Sequence, residues 1–255
     1  MTRTRTRLLA ALSTLTAVPL LTTPGAAPAA ANPATTSVVA RPAAPATTPP
    51  TARRVYAPGT SISQLDSTQV LVADRVAGTR GTWARWSWNG SRWVKVNAPA
   101  GAVFGRGGVV PAAVRRQGTG TTPAGAFTLV SAFGKGNPGT RMAYRTVTAC
   151  SWWIQDPRAR DYNRWRQSCA VPRATAAGSE RLSTYVASGL YRQAVVVGYN
   201  YWNVRRYGSG SGAGIFLHHA RRYTGGCVGI DDMAELTATV RWLDPARHPV
   251  LVIKA

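Results

Sequence analysis

Ile215-Phe216-Leu217-His218-His219-Ala220-Arg221-Arg222-Tyr223-Thr224-Gly225-Gly226-Cys227-Val228-Gly229 is the stretch on which the reading turns. Ile215-Phe216-Leu217 has the composition of a buried strand, and it ends on His218. The connection from His218 to Cys227 is nine residues long, short enough to bring sulfur back to imidazole. A thiol attacks as thiolate, so a catalytic cysteine needs a base or a positive field beside it. His218 is the candidate base, with His219 as the alternative, and Arg221 and Arg222 add positive charge. Gly225 and Gly226 clear side chains from the approach to the thiol and let the Gly226 and Cys227 N–H groups face a developing oxyanion.

The cysteine count agrees with this choice. Cys150 and Cys169 can close a disulfide loop in an oxidising compartment, which leaves Cys227 as the odd thiol. The alternative is that Cys227 is a small buried apolar residue. Zinc fits poorly: adjacent histidines on a strand point to opposite faces, no Cys-x-x-Cys or His-x-x-x-His spacing is present, and His248 is distant. No metal is expected.

Outward from this segment, Phe127-Thr128-Leu129-Val130, Ala194-Val195-Val196-Val197 and Pro249-Val250-Leu251-Val252-Ile253 read as strands, as does Gln69-Val70-Leu71-Val72-Ala73. Trp83–Trp88 and Arg92–Val96 alternate in period two around Asn89-Gly90-Ser91, which predicts a β-hairpin with its tryptophans on one face, packed as core. The Asn-Gly pair favours a tight turn in which both central residues take positive φ. The glycines between 101 and 125 lack the Lys-Ser/Thr ending of a phosphate loop and read as turns between strands. Asp231-Asp232 caps a helix carrying Met233, Leu236, Val240 and Leu243, stopped by Pro245. The expected fold is mainly β with one C-terminal helix and long loops.

At the N-terminus, three arginines precede an apolar run, Leu8 to Leu21, and the small residues Ala29-Ala30-Ala31, so residues 1–31 read as a secretory signal peptide. The run falls short of the roughly 20 apolar residues a spanning helix needs. Residues 32–60 are Pro, Ala and Thr with few large apolar side chains and read as a disordered linker. Residues 61–255 form one domain, opened by the hairpin segment 61–100. The net charge of +22 falls to +19 once Arg3, Arg5 and Arg7 are removed, so polyanions gather near the protein. For an exported chain these are anionic cell-wall polymers. Nucleic acid is the competing partner, but the arginines are scattered, no nucleic-acid motif is present, and the signal peptide leads away from the cytoplasm, so none is expected.

Thr224-Gly225-Gly226-Cys227, with His218 closing Ile-Phe-Leu, resembles the active-site signature of the YkuD-type L,D-transpeptidases, and Thr122-Pro123-Ala124-Gly125-Ala126-Phe127 is similar to that family's Thr-Pro-x-Gly-x-Phe strand. Asp156-Pro157 and Tyr162-Asn163-Arg164-Trp165 look like a stretch of one secreted branch, so the likeness covers about residues 100 to 255. It implies a YkuD-like β-sandwich, no metal or organic cofactor, and peptidoglycan stem peptides as partners. It implies a Cys227 acyl-enzyme made by expelling D-alanine from a stem tetrapeptide. Passage to an amine gives a 3–3 cross-link; passage to water gives carboxypeptidase activity. A wall-binding module with an inactive site is the non-enzymatic alternative. Gly225 replaces a histidine that many members carry, and Gly229 stands where Arg or Asn is frequent. Arg221, Arg222, Thr224 and the Tyr162-Asn163 segment are therefore the candidates for binding substrate.

Overall fold

The computed structural model describes residues 52–208 and 211–255; the expected signal peptide and most of the expected linker lie outside them. Strands β1 (Gln69–Ala77), β2 (Arg80–Trp88), β3 (Trp93–Lys95), β4 (Gly101–Val103), β5 (Val109–Pro111), β6 (Thr122–Gly134) and β7 (Tyr144–Thr146) come first. There follow β8 (Ser151–Ile154), β9 (Arg164–Gln167), α1 (Arg173–Ala177), β10 (Glu180–Arg181), α2 (Leu182–Ala187) and β11 (Gln193–Val197). The chain continues through β12 (Phe216–His219), β13 (Val228–Ile230), α3 (Met233–Trp242), a 3-10 turn at Pro245–Arg247 and β14 (Val250–Lys254). Strands take 37% of the structure and helices 12%, so the domain is mainly β. No helix among the described residues is long and apolar enough to cross a membrane.

The two layers of a sandwich are here a single folded-over sheet. It runs β1-β14-β6-β11-β12-β13-β4-β2, and β2 pairs back onto β1, so these strands close a ring. Period-two alternation then gives each strand an inner face. Leu71, Ala73, Trp83, Val195, Val197, Leu217, Ile230, Leu251 and Ile253 share one core with Leu236 and Val240 of α3 and with Leu243 just after it. Ala194, Val196, Phe216 and Cys227 turn to the other face, where Trp153, Leu182 and Tyr191 cover them.

Helix α3 begins as its sequence predicts, with the Asp232 carboxylate accepting from Glu235 N at 2.6 Å. Glu235 is itself buried, and its carboxylate takes Arg85 Nε at 2.7 Å, Arg85 Nη2 at 3.1 Å and Trp83 Nε1 at 3.0 Å. A buried charge so surrounded is satisfied, and it fastens α3 to β2.

The hairpin forms, with two differences from its expected shape. Trp83 faces the main core while Trp86, Trp88 and Trp93 face a second one, because an odd and an even position on a strand cannot share a face. At the turn only Gly90 takes positive φ, 102°. Asn89 acts through its side chain instead, its Oδ1 accepting from the N–H groups of Ser91 and Arg92 at 3.0 and 2.9 Å. Packing against the hairpin also includes residues before 61: Ala57 is buried in the second core, and Val55 O accepts from Trp93 Nε1 at 3.0 Å. Val55 and Ile62 pack against the same core.

Candidate active site

β12 and β13 are parallel neighbours in register, with Leu217 opposite Val228 and His218 opposite Gly229. The loop that joins them, residues 220–227, is pinned to the end of β4 by Thr224 N to Phe104 O and Arg106 N to Thr224 O, both 3.0 Å. Inside this loop the Thr224 hydroxyl donates to Cys227 O at 2.7 Å and accepts from Gly226 N at 3.1 Å. Thr224, expected at the substrate, lines the cavity beside Cys227, and its hydroxyl braces the box. The Gly226 N–H, expected to face an oxyanion, is held by that hydroxyl. Gly226 sits at φ 138°, and a Cβ there would come within 2.9 Å of Thr121 O. Gly225 has open space where its side chain would be, so the way to the sulfur runs over this residue.

Cys227 is the free cysteine among the described residues, and Cys150 is joined to Cys169 with Cα atoms 4.5 Å apart. The Cys227 sulfur is buried, donating to Gly214 O at 3.2 Å and accepting from Phe216 N at 3.4 Å. Burial pushes its pKa up to about 12, with the negative charge of Glu180 adding to the rise; the Phe216 N–H and the positive charge of Arg115 oppose it. The two arginines expected to favour thiolate, Arg221 and Arg222, are exposed, and the resting sulfur is a thiol.

Alternation along β12 separates the two histidines. His218 lies with Phe216 on the face that holds Cys227, its ring edge-on to Tyr191 at 5.0 Å between centroids. Its Nδ1 is 2.8 Å from His219 O. That oxygen only accepts, so the tautomer that pairs with it carries its proton on Nδ1 and leaves Nε2 as the basic nitrogen. Burial lowers the His218 pKa to about 4, against the raising effect of the His219 and Leu190 carbonyls, and the ring is neutral near pH 7. His219 points to the opposite face with Nδ1 3.0 Å from Ile230 O.

Cys227, His218 and His219 line a cavity of about 810 Å³. Its charged side chains are Arg106, Arg115, Arg192, Arg221 and Arg222 against one acid, Glu180. Glu180 stands in β10, hydrogen-bonded by the Tyr191 hydroxyl at 2.8 Å, and burial raises its pKa to about 7. Sequence reasoning missed Arg115, Glu180 and Tyr191, because none lies in a motif. The scarcity of acids, nine in the chain, was the available signal for Glu180.

Tyr162 and Asn163 do not reach this cavity. Tyr162 is buried, its hydroxyl donating to Gln117 Oε1 at 2.5 Å. Asn163, in the left-handed region at φ 59°, uses its whole amide: Oδ1 accepts from Trp153 Nε1 and Gly214 N at 2.9 Å, and Nδ2 donates to Tyr199 O and Asn200 O at 3.3 and 2.7 Å. It fixes Gly214, whose carbonyl holds the sulfur, so its contribution to the site is indirect. Gly229 is explained by space, since a Cβ there would meet Ala220 Cβ at 2.6 Å. Among the described residues no group of three metal-binding side chains is present.

Searches of curated proteins and of solved structures return no match. The family model described as the L,D-transpeptidase catalytic domain, YkuD, matches residues 84–252, which include the cavity wall, His218 and Cys227. The chain therefore belongs to the YkuD family of L,D-transpeptidase catalytic domains.

Proposed function

We propose that the protein is a secreted, wall-associated peptidoglycan L,D-transpeptidase that forms 3–3 cross-links between stem peptides. The observation that carries the reading is a free thiol and a neutral imidazole on the wall of one strongly basic cavity. Stem peptides bring carboxylates into such a field, and the charge also suits the anionic polymers of the wall. Family membership supports the reaction class.

In the first step Cys227 Sγ bonds to the carbonyl carbon of the third stem residue, and the bond from that carbon to the D-alanine nitrogen breaks. The thiol proton passes to His218 Nε2 and from there to the leaving nitrogen. The thiol exchanges its bond to Gly214 O for the imidazole as substrate enters. Apo arrangements of catalytic groups are commonly looser than reacting ones. In the second step the amine of a neighbouring stem attacks the thioester carbon, its proton goes to His218, and sulfur leaves as the thiol once it regains that proton. Water in place of the amine gives the carboxypeptidase outcome.

The test is release of D-alanine from a stem tetrapeptide by wild type, Cys227→Ala and His218→Gln. Loss of release in Cys227→Ala, with an unchanged circular-dichroism melt, is expected. The wild-type rate in that variant rejects the reading.

A further inference from the structure

Arg115 is 4% exposed, yet one nitrogen of its guanidinium has no partner among the described residues. Nε donates to Thr121 O at 3.2 Å, while Nη1 is buried with no hydrogen bond to any described residue. Among the described residues no carboxylate lies within 4.0 Å of it. The group is wedged between two glycines, both at positive φ. A Cβ on Gly212 would lie 1.5 Å from Nη1, and one on Gly226 would lie 3.0 Å from Nη2. Beneath it the Tyr199 ring is 5.6 Å from Cζ, and the Tyr199 hydroxyl is a hydrogen-bond partner of the guanidinium.

An arginine kept for structure finds acceptors for its five N–H donors, and a buried charge without a counter-charge costs stability. Arg115 has no counter-charge and leaves Nη1 unpaired among the described residues, whereas Arg85 in the same protein shows what a structural arginine looks like, closed on Glu235 at 2.7 Å. Its place matters as much as its poverty of partners. It lines the cavity, and its Nη2 abuts the residue immediately before the nucleophile. The guanidinium fork matches the two oxygens of a carboxylate, whereas an oxyanion offers one oxygen and exists only during reaction.

We infer that Arg115 is the specificity residue that binds the C-terminal carboxylate of the donor peptide, one residue beyond the bond that Cys227 breaks. The assignment rests on the donor-peptide reading above. It replaces Arg221, Arg222 and Tyr162-Asn163 in that role: the first two are exposed and the last pair is occupied internally. It also supplies the anchor for which Gly229 has no room.

Alkylation of Cys227 tests it without requiring turnover. Iodoacetate and iodoacetamide react alike: the S–C bond forms, iodide leaves with the C–I electron pair, and the thiol proton goes to buffer. The reagents differ only in carboxylate against amide. The ratio of their rates in wild type is expected to fall about ten-fold in Arg115→Met, a size set by one charge-assisted pair, with a smaller fall in Arg115→Lys. Equal slowing of both reagents, which leaves the ratio unchanged, overturns the assignment in favour of a field or oxyanion role. On wild type alone, N-acetyl-D-alanine is expected to protect Cys227 from iodoacetamide better than N-acetyl-D-alaninamide; equal protection, or none from either, overturns it as well. A wild-type preference lost in Arg115→Met, without any D-alanine release from tetrapeptide by wild type, removes the transpeptidase reading and leaves the carboxylate site standing. Release with an unchanged ratio does the reverse.

Discussion

Cys227 rests as a thiol because its sulfur is out of water and faces the charge of Glu180, and the neutral His218 offers no positive partner. Deprotonation must then accompany attack, in contrast to cysteine enzymes that hold a thiolate–imidazolium pair. Below its pKa of about 12 the thiolate fraction grows with pH. In His218→Gln, which lacks the general base, iodoacetamide labelling of Cys227 should therefore rise roughly ten-fold per pH unit between about pH 6 and pH 9, apart from the effect of Glu180. A plateau near neutrality in that variant contradicts a thiol pKa so far above neutrality. Glu180 becomes charged as pH rises through about 7, and that charge disfavours thiolate, so the slope should dip there. Glu180→Gln should remove the dip and label faster above pH 7, as read from the same profile. At this scale the sequence held the nucleophile and its histidine, because both sit in one short segment. Arg115 and Tyr191 were illegible, and Glu180 stood out only as one of few acids, because the loop before β6, β10 and the loop before β11 bring them to the cavity and no local pattern records that meeting.

At the scale of elements, alternation and capping were readable while pairing was not. The strand at Ala194–Val197 and the Asp232 cap follow from side-chain period and hydrogen-bonding chemistry, which are local. The parallel register of β12 with β13 sets His218 beside the box and depends on contacts between β4 and the Thr224 loop. Glu235 looks in sequence like an ordinary first-turn acid of a helix, yet it is the buried joint between α3 and β2. Removing it leaves Arg85 buried and unpaired. Glu235→Ala should lower unfolding free energy by about 3 kcal/mol or more in urea denaturation. A loss below about 1 kcal/mol would mean that α3 is held by apolar contacts alone.

Across the whole molecule, the sheet closes on itself through β1 and β2, and the small sheet β10-β8-β9 stands outside that ring as a wall of the cavity. Closure joins strands from the two ends of the domain, β1 with β14, and long-range pairing of this kind leaves no trace in local sequence. The Cys150–Cys169 bond clamps the open end of the β8–β9 pair, where few core residues help. Replacing both cysteines with alanine should cost about 3 kcal/mol, from the loop the bond closes. It should also raise KM for tetrapeptide more than it lowers kcat, since the wall bearing Glu180 loosens while Cys227 and His218 stay on the main sheet. An unchanged melting temperature on reduction would show that this wall is held by its own packing.

The central claim is that Cys227 carries the acyl group. Acid-quenched intact-mass spectrometry of the full chain, mixed with stem tetrapeptide in the absence of an acceptor amine, tests it most directly. The expected species is protein plus the tetrapeptide less its D-alanine, located on Cys227 by peptide mapping and missing from Cys227→Ser. D-alanine release by folded wild-type protein with the acyl group on another residue, or with no covalent species at any quench time, would contradict it.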